Sequence, residues 1–200
     1  TDGAEAAAIY NAADKLYYAN LTLPSAGIYT VNIAYVDEDE ITVKTATINN
    51  FRGTFQDLQN TISNAIGTTL DLDCDFKYVE GLDDPSLKNG VLINRGIEIR
   101  GNGHTISGSN VARIFNVTKT GVYITNMTIR DGSADKGAGV YVKPGVIFDA
   151  TGVNFLNNTA TYRGGAIYTE GLVVIEGCVI DGNDITFRSA NDDNGGAATT

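Results

Sequence analysis

The chain has 200 residues, 42% of them apolar, and carries 14 Lys plus Arg against 24 Asp plus Glu. That apolar share excludes global disorder, and the length allows one large domain or two small ones. A net charge of −10 makes nucleic acid and anionic membranes poor partners.

No run approaches the roughly 18 apolar residues of a membrane span. No basic, then apolar, leader opens the chain, and Thr1-Asp2-Gly3 reads as a mature start or a boundary within something longer. Gly is frequent at 23 and Pro scarce at 3, which suits many tight turns between short strands.

Residues 1–50 predict β-structure. Leu16–Leu23, Ile28–Val36 and Ile41–Ile48 read as strands, with a turn at Pro24–Gly27 and a hairpin tip at Asp37–Glu40. They suggest an immunoglobulin-like remnant or a strand-exchange region. Residues 51–200 predict a parallel β-helix. Its first element is a helix over 54–66, because Phe55, Leu58, Ile62, Ala65 and Ile66 fall on one helical face. Thr54 is its expected N-cap and Gly67 its stop. Such a helix would cover the open apolar end of the first coil. Thr69–Tyr78 then alternates strictly and predicts a first solenoid strand, with Leu70, Leu72, Cys74 and Phe76 facing inward.

From Gly96 the chain repeats. Gly96, Gly121, Gly145 and Gly171 recur at intervals of 25, 24 and 26 residues, the length of one coil of three strands and three turns. Aligning on these glycines gives inward columns Ile97/Val122/Val146/Leu172 and Ile99/Ile124/Phe148/Val174. Past a corner come His104/Met127/Val153/Cys178 and Ile106/Ile129/Phe155/Ile180. A third strand precedes each glycine, with Ile114, Val140 and Ile167 in one column and Phe115, Tyr141 and Tyr168 in the next. Gly137-Ala-Gly and Gly164-Gly-Ala mark corners, and Asn126 and Asn158 fall near others, where Asn tolerates left-handed backbone and bonds to adjacent turns. The fold class expected is all-β: a right-handed parallel β-helix capped by a short amphipathic helix and preceded by an immunoglobulin-like or partial β-sandwich segment.

Phe55-x-x-Leu58, Leu70-x-Leu72, Gly101-Asn-Gly-His-Thr-Ile-Ser-Gly108, Ala112-Arg-Ile-Phe-Asn-Val-Thr118, Asn126-Met-Thr-Ile129, Asn157-Asn-Thr-Ala160 and Gly164-Gly-Ala-Ile-Tyr168 together cover about 51–190. This combination resembles the adhesin-like proteins of methanogenic archaea, and it is similar to the repeats of chlamydial-type polymorphic outer-membrane proteins. The resemblance implies an exported, extracellular protein tethered at the cell surface, with other cells, surface glycans or proteins as partners. It implies attachment or a surface-layer role and no catalytic constellation. At Asn194-Gly-Gly-Ala-Ala-Thr-Thr200 the pattern departs from the Gly-Gly-Ala-Ile-Tyr coil expected there.

The candidate residues follow. Asn20, Asn116, Asn126 and Asn157 head Asn-X-Ser/Thr sequons and are glycosylation candidates. Tyr123, Tyr141, Tyr162, Arg163 and Tyr168 are expected on outer faces as a candidate binding strip for glycans or proteins. Hydrolysis needs paired carboxylates, and Asp83-Asp84, Asp131 with Asp181, and Asp192-Asp193 are the candidates; solvated turns are the plainer reading. His104, the single histidine, is expected to pack at a corner rather than act as a base. Cys74 and Cys178 lie several coils apart, too far for a disulfide, and read as free thiols in the core. No catalytic residue and no cofactor is expected, and no metal site beyond a structural calcium at Asp181-Gly-Asn-Asp184 or Asp192-Asp-Asn194. Two alternatives stay open. One is a polysaccharide lyase or glycoside hydrolase on the same fold. The other is a self-assembling subunit, in which the segment Gly3–Tyr10, a faint echo of Gly164–Tyr168, adds a strand to a neighbouring copy.

Overall fold

The computed structural model describes residues 8–13, 16–18, 27–37, 40–50 and 53–186. The chain divides after Arg52 into two compact units. In the first, Ile9–Asn11 pairs antiparallel with Leu16–Tyr18. Gly27–Asp37 pairs antiparallel with Glu40–Asn50, from Gly27 opposite Asn50 to Asp37 opposite Glu40. The expected hairpin tip is therefore in place. The immunoglobulin-like segment is not confirmed: the described residues of this unit form two two-stranded ladders. Of the proposed donor strand, Gly3–Ala7 lies outside the described residues, and Ile9–Asn11 is paired within its own unit.

The second unit starts with α1, Phe55–Asn64. Thr54 and Asp57 form a reciprocal capping box: the Asp57 amide donates to Thr54 Oγ1 at 3.1 Å, and the Thr54 amide donates to Asp57 Oδ2 at 3.0 Å. Phe55, Leu58 and Ile62 are buried over the first coil, with Phe55 edge-on to Tyr78 at 5.7 Å. The helix ends before the predicted limit. Ala65 leaves helical geometry, and Ile66, counted in the apolar face, is 97% exposed. Arg95 closes this end by donating to the carbonyls of Ala65 and Gly67.

Parallel strands then stack in four sheets. The first holds Thr69–Asp71, Ile97–Arg100, Val122–Thr125, Ile147–Thr151 and Leu172–Glu176. The second holds Phe76–Lys77, Thr105–Ser107, Thr128–Arg130, Asn154–Leu156 and Val179–Asp181. The third holds Val91–Ile93, Phe115–Val117, Val140–Val142 and Ile167–Thr169. A fourth, short and polar, holds Ser133–Lys136, Thr159–Arg163 and Asp184–Ile185. The fold is the expected helix-capped parallel β-helix. Thr69–Tyr78 is not one strand, however. It bends around a corner at Leu72–Asp75, so its apolar residues serve two sheets and Cys74 is only half-buried.

The register of the second sheet is the predicted one, Ile106/Ile129/Phe155/Ile180. The first sheet differs. Val122 pairs with Phe148 and Ile124 with Ala150; Phe148 in turn pairs with Val173. The cause is the corner Lys143-Pro144-Gly145-Val146. Its Val146 amide donates back to Lys143 at 3.2 Å and Gly145 has φ +73°, as a turn with Pro second and Gly third requires. Val146 is buried within the corner and belongs to no strand. A Cβ on Gly171 would lie 2.1 Å from the Val146 carbonyl oxygen, so this glycine stacks on Val146 and not on Gly145. In the third sheet Phe115, not Ile114, shares the column of Val140 and Ile167, and Asn116 lies beside Tyr141 and Tyr168. Ile114 and Phe115 are both buried, and two consecutive buried residues erase the alternation that sets register.

Candidate functional surface

Corners and outward-facing rows hold the polar chemistry. Three corner positions repeat with left-handed backbone: Asp131, Asn157 and Gly182 have φ of 55°, 54° and 63°. Asp131 thus shares its place with Gly182. Asp181 stands one residue earlier, in the row of Leu156 and Arg130. The two carboxylates do not face each other as expected. Asp131 instead accepts from Arg130 Nε at 2.7 Å and from Ser107 Oγ at 3.2 Å.

Asp83 and Asp84 are both helix caps. Asp83, 4% exposed, accepts from the amides of Gln56 and Val79 at 2.7 Å and of Phe55 at 3.3 Å. It binds the N-terminus of α1 to the first coil. Asp84 accepts from the Ser86 amide at 2.8 Å at the head of a short 3₁₀ turn, and these Ser86 hydrogen bonds hold its carboxyl below the usual carboxylate range. Asp192, Asp193 and Asn194 lie outside the described residues.

His104 is not packed in the core. Its side chain is 31% exposed, and Nδ1 lies 3.1 Å from Asp75 Oδ1 of the preceding coil. The same carboxylate oxygen accepts from the Thr105 amide, so the pair pins one corner to the next. Cys74 and Cys178 form no disulfide, and both are half-buried rather than fully in the core. In the Asp181–Asp184 turn, Asn183 points into the stack. Its Nδ2 donates to the Phe155 carbonyl at 2.8 Å, and its Oδ1 accepts from Asn158 Nδ2 at 2.9 Å. Asn183 is therefore committed to the coils rather than to a cation. Among the described residues no three His, Cys, Asp or Glu side chains converge as metal ligands.

Of the sequons, Asn20 lies outside the described residues. Asn126 and Asn157 are exposed at corners with φ of 49° and 54°. Asn116 is half-buried between Leu92 and Tyr141, with its Oδ1 buried and unpartnered.

The five residues of the expected strip sit on three sheets. Tyr123 is on the first, Tyr141 and Tyr168 on the third, and Tyr162 and Arg163 on the fourth. Tyr141 and Tyr168 stack at 5.7 Å with planes 16° apart. Glu170 accepts from both hydroxyls at 3.2 Å. The Arg113 guanidinium lies 5.1 Å from the Tyr141 ring and Lys143 5.4 Å, while Lys136 lies 5.2 Å from the Tyr168 ring. Burial, and then the Glu170 carboxylate, push the Tyr141 phenol above its ordinary range. A phenol raised in the fold stabilises it up to its unfolded pKa, and that contribution is lost as pH rises through the folded value. Ultraviolet titration should therefore show one phenol ionising after the others, and Glu170→Gln should bring it back toward them.

Arg113 was not anticipated as a structural residue. It is 8% exposed, and it donates to the carbonyls of Gly137, Asn89 and Lys136 at 3.1, 3.0 and 2.9 Å and to Asp135 at 3.0 Å. Burial lowers its pKa from the usual arginine value. The signal was present in the sequence as one charge between apolar Ala112 and Ile114. Glu98, between the inward Ile97 and Ile99, and Arg100, just after them, carried no functional expectation. On the first sheet Arg100 clamps Glu98 at 2.8 and 3.2 Å, and Glu98 lines an open groove of about 350 Å3 with Thr69, Gly96, Gly121 and Tyr123.

No helix among the described residues is long and apolar enough to cross a membrane. Residues 152–170 match the Chlamydia polymorphic membrane protein repeat. That stretch runs from the corner glycine Gly152 through the buried Phe155 and Asn158 to the Gly164-Gly-Ala corner and the strand Ile167–Thr169. No curated protein and no solved structure matches the chain. The comparisons lend no support to the expected likeness to methanogen proteins. Matched repeat and stacked coils together describe a repeat protein similar to the polymorphic membrane proteins.

Proposed function

We propose that this chain is a non-catalytic module displayed on the outside of the cell, where its outer faces mediate attachment to other cells, glycans or proteins. The observation that carries the proposal is the repeat match over 152–170, set within a stack of like coils. The interior supports the non-catalytic part. It is filled by Ile, Val and Phe, and its buried polar side chains are spent on backbone groups of neighbouring coils. The Tyr141–Tyr168 cluster is the best-organised outer patch. Its aromatic and cationic groups suit protein or glycan contacts. Self-assembly by strand addition has less behind it, because Ile9 and Tyr10, the described end of the donor segment, are paired with Tyr18 and Tyr17 of their own unit.

Protease treatment of intact producing cells tests the display. The module should be cleaved while a cytosolic control survives, and protection of both would overturn the reading. Latex beads coated with the purified chain should then adhere to cells more than uncoated beads do.

A further inference from the structure

The outward face of the first sheet presents one row of Thr69, Glu98, Tyr123, Asp149 and Val174, and a parallel row of Asp71, Arg100, Thr125, Thr151 and Glu176. Successive rungs lie about 4.8 Å apart. Beside Tyr123 the rungs lose their side chains. Gly96 and Gly121 stack there, and a Cβ on Gly96 would meet the Gly121 carbonyl oxygen at 3.4 Å. Two superposed glycines thus leave a recess, with the half-exposed Tyr123 ring as one wall and Glu98 as another.

These two walls differ from the rest of the surface. Among the described residues Tyr123 has no ring–ring or cation–ring contact of the kind that occupies Tyr141 and Tyr168. Its face is open to a ligand. Glu98 is held in one orientation by two hydrogen bonds from Arg100. Each of its oxygens retains a lone pair for a further donor. An aromatic face beside an oriented carboxylate matches the two surfaces of a sugar ring, one lined by C–H groups and the other by hydroxyls. The space, about 350 Å3, is at the small end of ligand sites. The charge excludes a subset of sugars: Asp71 and Asp149 flank the clamp in a chain of net charge −10, so uronic and sialic acids are repelled.

We infer that the recess over Gly96 and Gly121, beside Tyr123 and Glu98, is a subsite for a neutral pyranose, with the ring stacked on Tyr123 and hydroxyls donating to Glu98. This rests on the attachment reading above and names its ligand class. It also separates Tyr123 from the Tyr141–Tyr168 patch, which lies on another sheet.

The test uses the purified chain and saturation-transfer NMR with cellobiose, lactose and N,N′-diacetylchitobiose, and digalacturonate as the acidic comparator. At least one neutral disaccharide should bind with a Kd near about 1 mM. Tyr123→Ala should weaken it at least about tenfold, or ~1.4 kcal/mol. Tyr123→Phe should stay within about threefold of the parent, and Val179→Ala, exposed on the second sheet, should change nothing. Circular dichroism checks that each variant is folded. The inference is overturned if no neutral disaccharide binds, if binding ignores Tyr123→Ala, or if digalacturonate binds best. A protease-accessible module without sugar binding would remove this site and leave the surface reading intact. Sugar binding by a protease-protected chain would do the reverse.

Discussion

Asn158→Asp lowers the stability of the solenoid by about 4 kcal/mol at neutral pH, and Asn158→Ala by about 3 kcal/mol. Asn158 is fully buried. Its Oδ1 accepts from the Gly132 amide at 2.9 Å, and its Nδ2 donates to the Ile129 carbonyl at 3.0 Å and to Asn183 Oδ1 at 2.9 Å. One side chain thus joins three coils. Alanine leaves two buried backbone groups unpaired, each costing about 1–3 kcal/mol. Aspartate keeps the bond from Gly132 but turns an acceptor toward two other acceptors. Protonated, it supplies one donor where two are needed; ionised, it is a buried charge. Its pKa is therefore raised in the fold, and the sign of the linkage follows. Stability is retained at pH below the unfolded carboxyl value and falls as pH rises above it. Urea unfolding at acid and neutral pH measures the difference. Hydrogen exchange at the Gly132 amide localises it. Equal stability of Asn158→Asp and the parent at neutral pH would contradict this account.

Arg113→Met costs about 3 kcal/mol, and Arg113→Lys fails to restore it. The ion pair with Asp135 is not the cause, since that carboxylate's side chain is 66% exposed. Exposed pairs contribute about 0–1 kcal/mol, so Asp135→Asn should cost less than ~1 kcal/mol. The loss comes from three carbonyls, Asn89, Lys136 and Gly137, that the guanidinium satisfies at once. Lysine's ammonium is a single point and cannot reach groups on both sides. Unfolding midpoints of the three variants should order as Asp135→Asn, then Arg113→Lys and Arg113→Met close together. A large loss from Asp135→Asn would show that the pair, not the fork, stabilises the site.

The parts of the fold visible in the sequence are those where one apolar residue stands between polar ones. Ile106 and Ile129 do so, and the register they set runs on through Phe155 and Ile180 as expected. Glycine misled the first sheet because one residue type does two jobs. Gly145 supplies positive φ, whereas Gly171 makes room for the Val146 carbonyl. The fourth sheet was invisible because Ser133–Lys136 and Thr159–Arg163 bury little beyond Ala160, and no periodicity arises from so few inward residues. His104 was assigned to the core from column neighbours Met127, Val153 and Cys178. The Asp75 that draws it outward belongs to the first coil, which that alignment did not reach. Tyr123 and Tyr162 are half-exposed and Tyr141 is partly buried. Their separation onto three sheets depends on where each corner turns, and corner lengths vary from coil to coil.

Sealing one end with α1 gives assembly of the stack a direction. The capping box, the Asp83 tie and the buried Phe55, Leu58 and Ile62 all precede the second coil in the chain, so this plug closes without it. Every later coil then meets a finished edge and needs to close a loop of only about 25 residues, whatever the total length. Growth resembles the closing of a zipper from a fixed stop, and lengthening the protein adds teeth without slowing the first one.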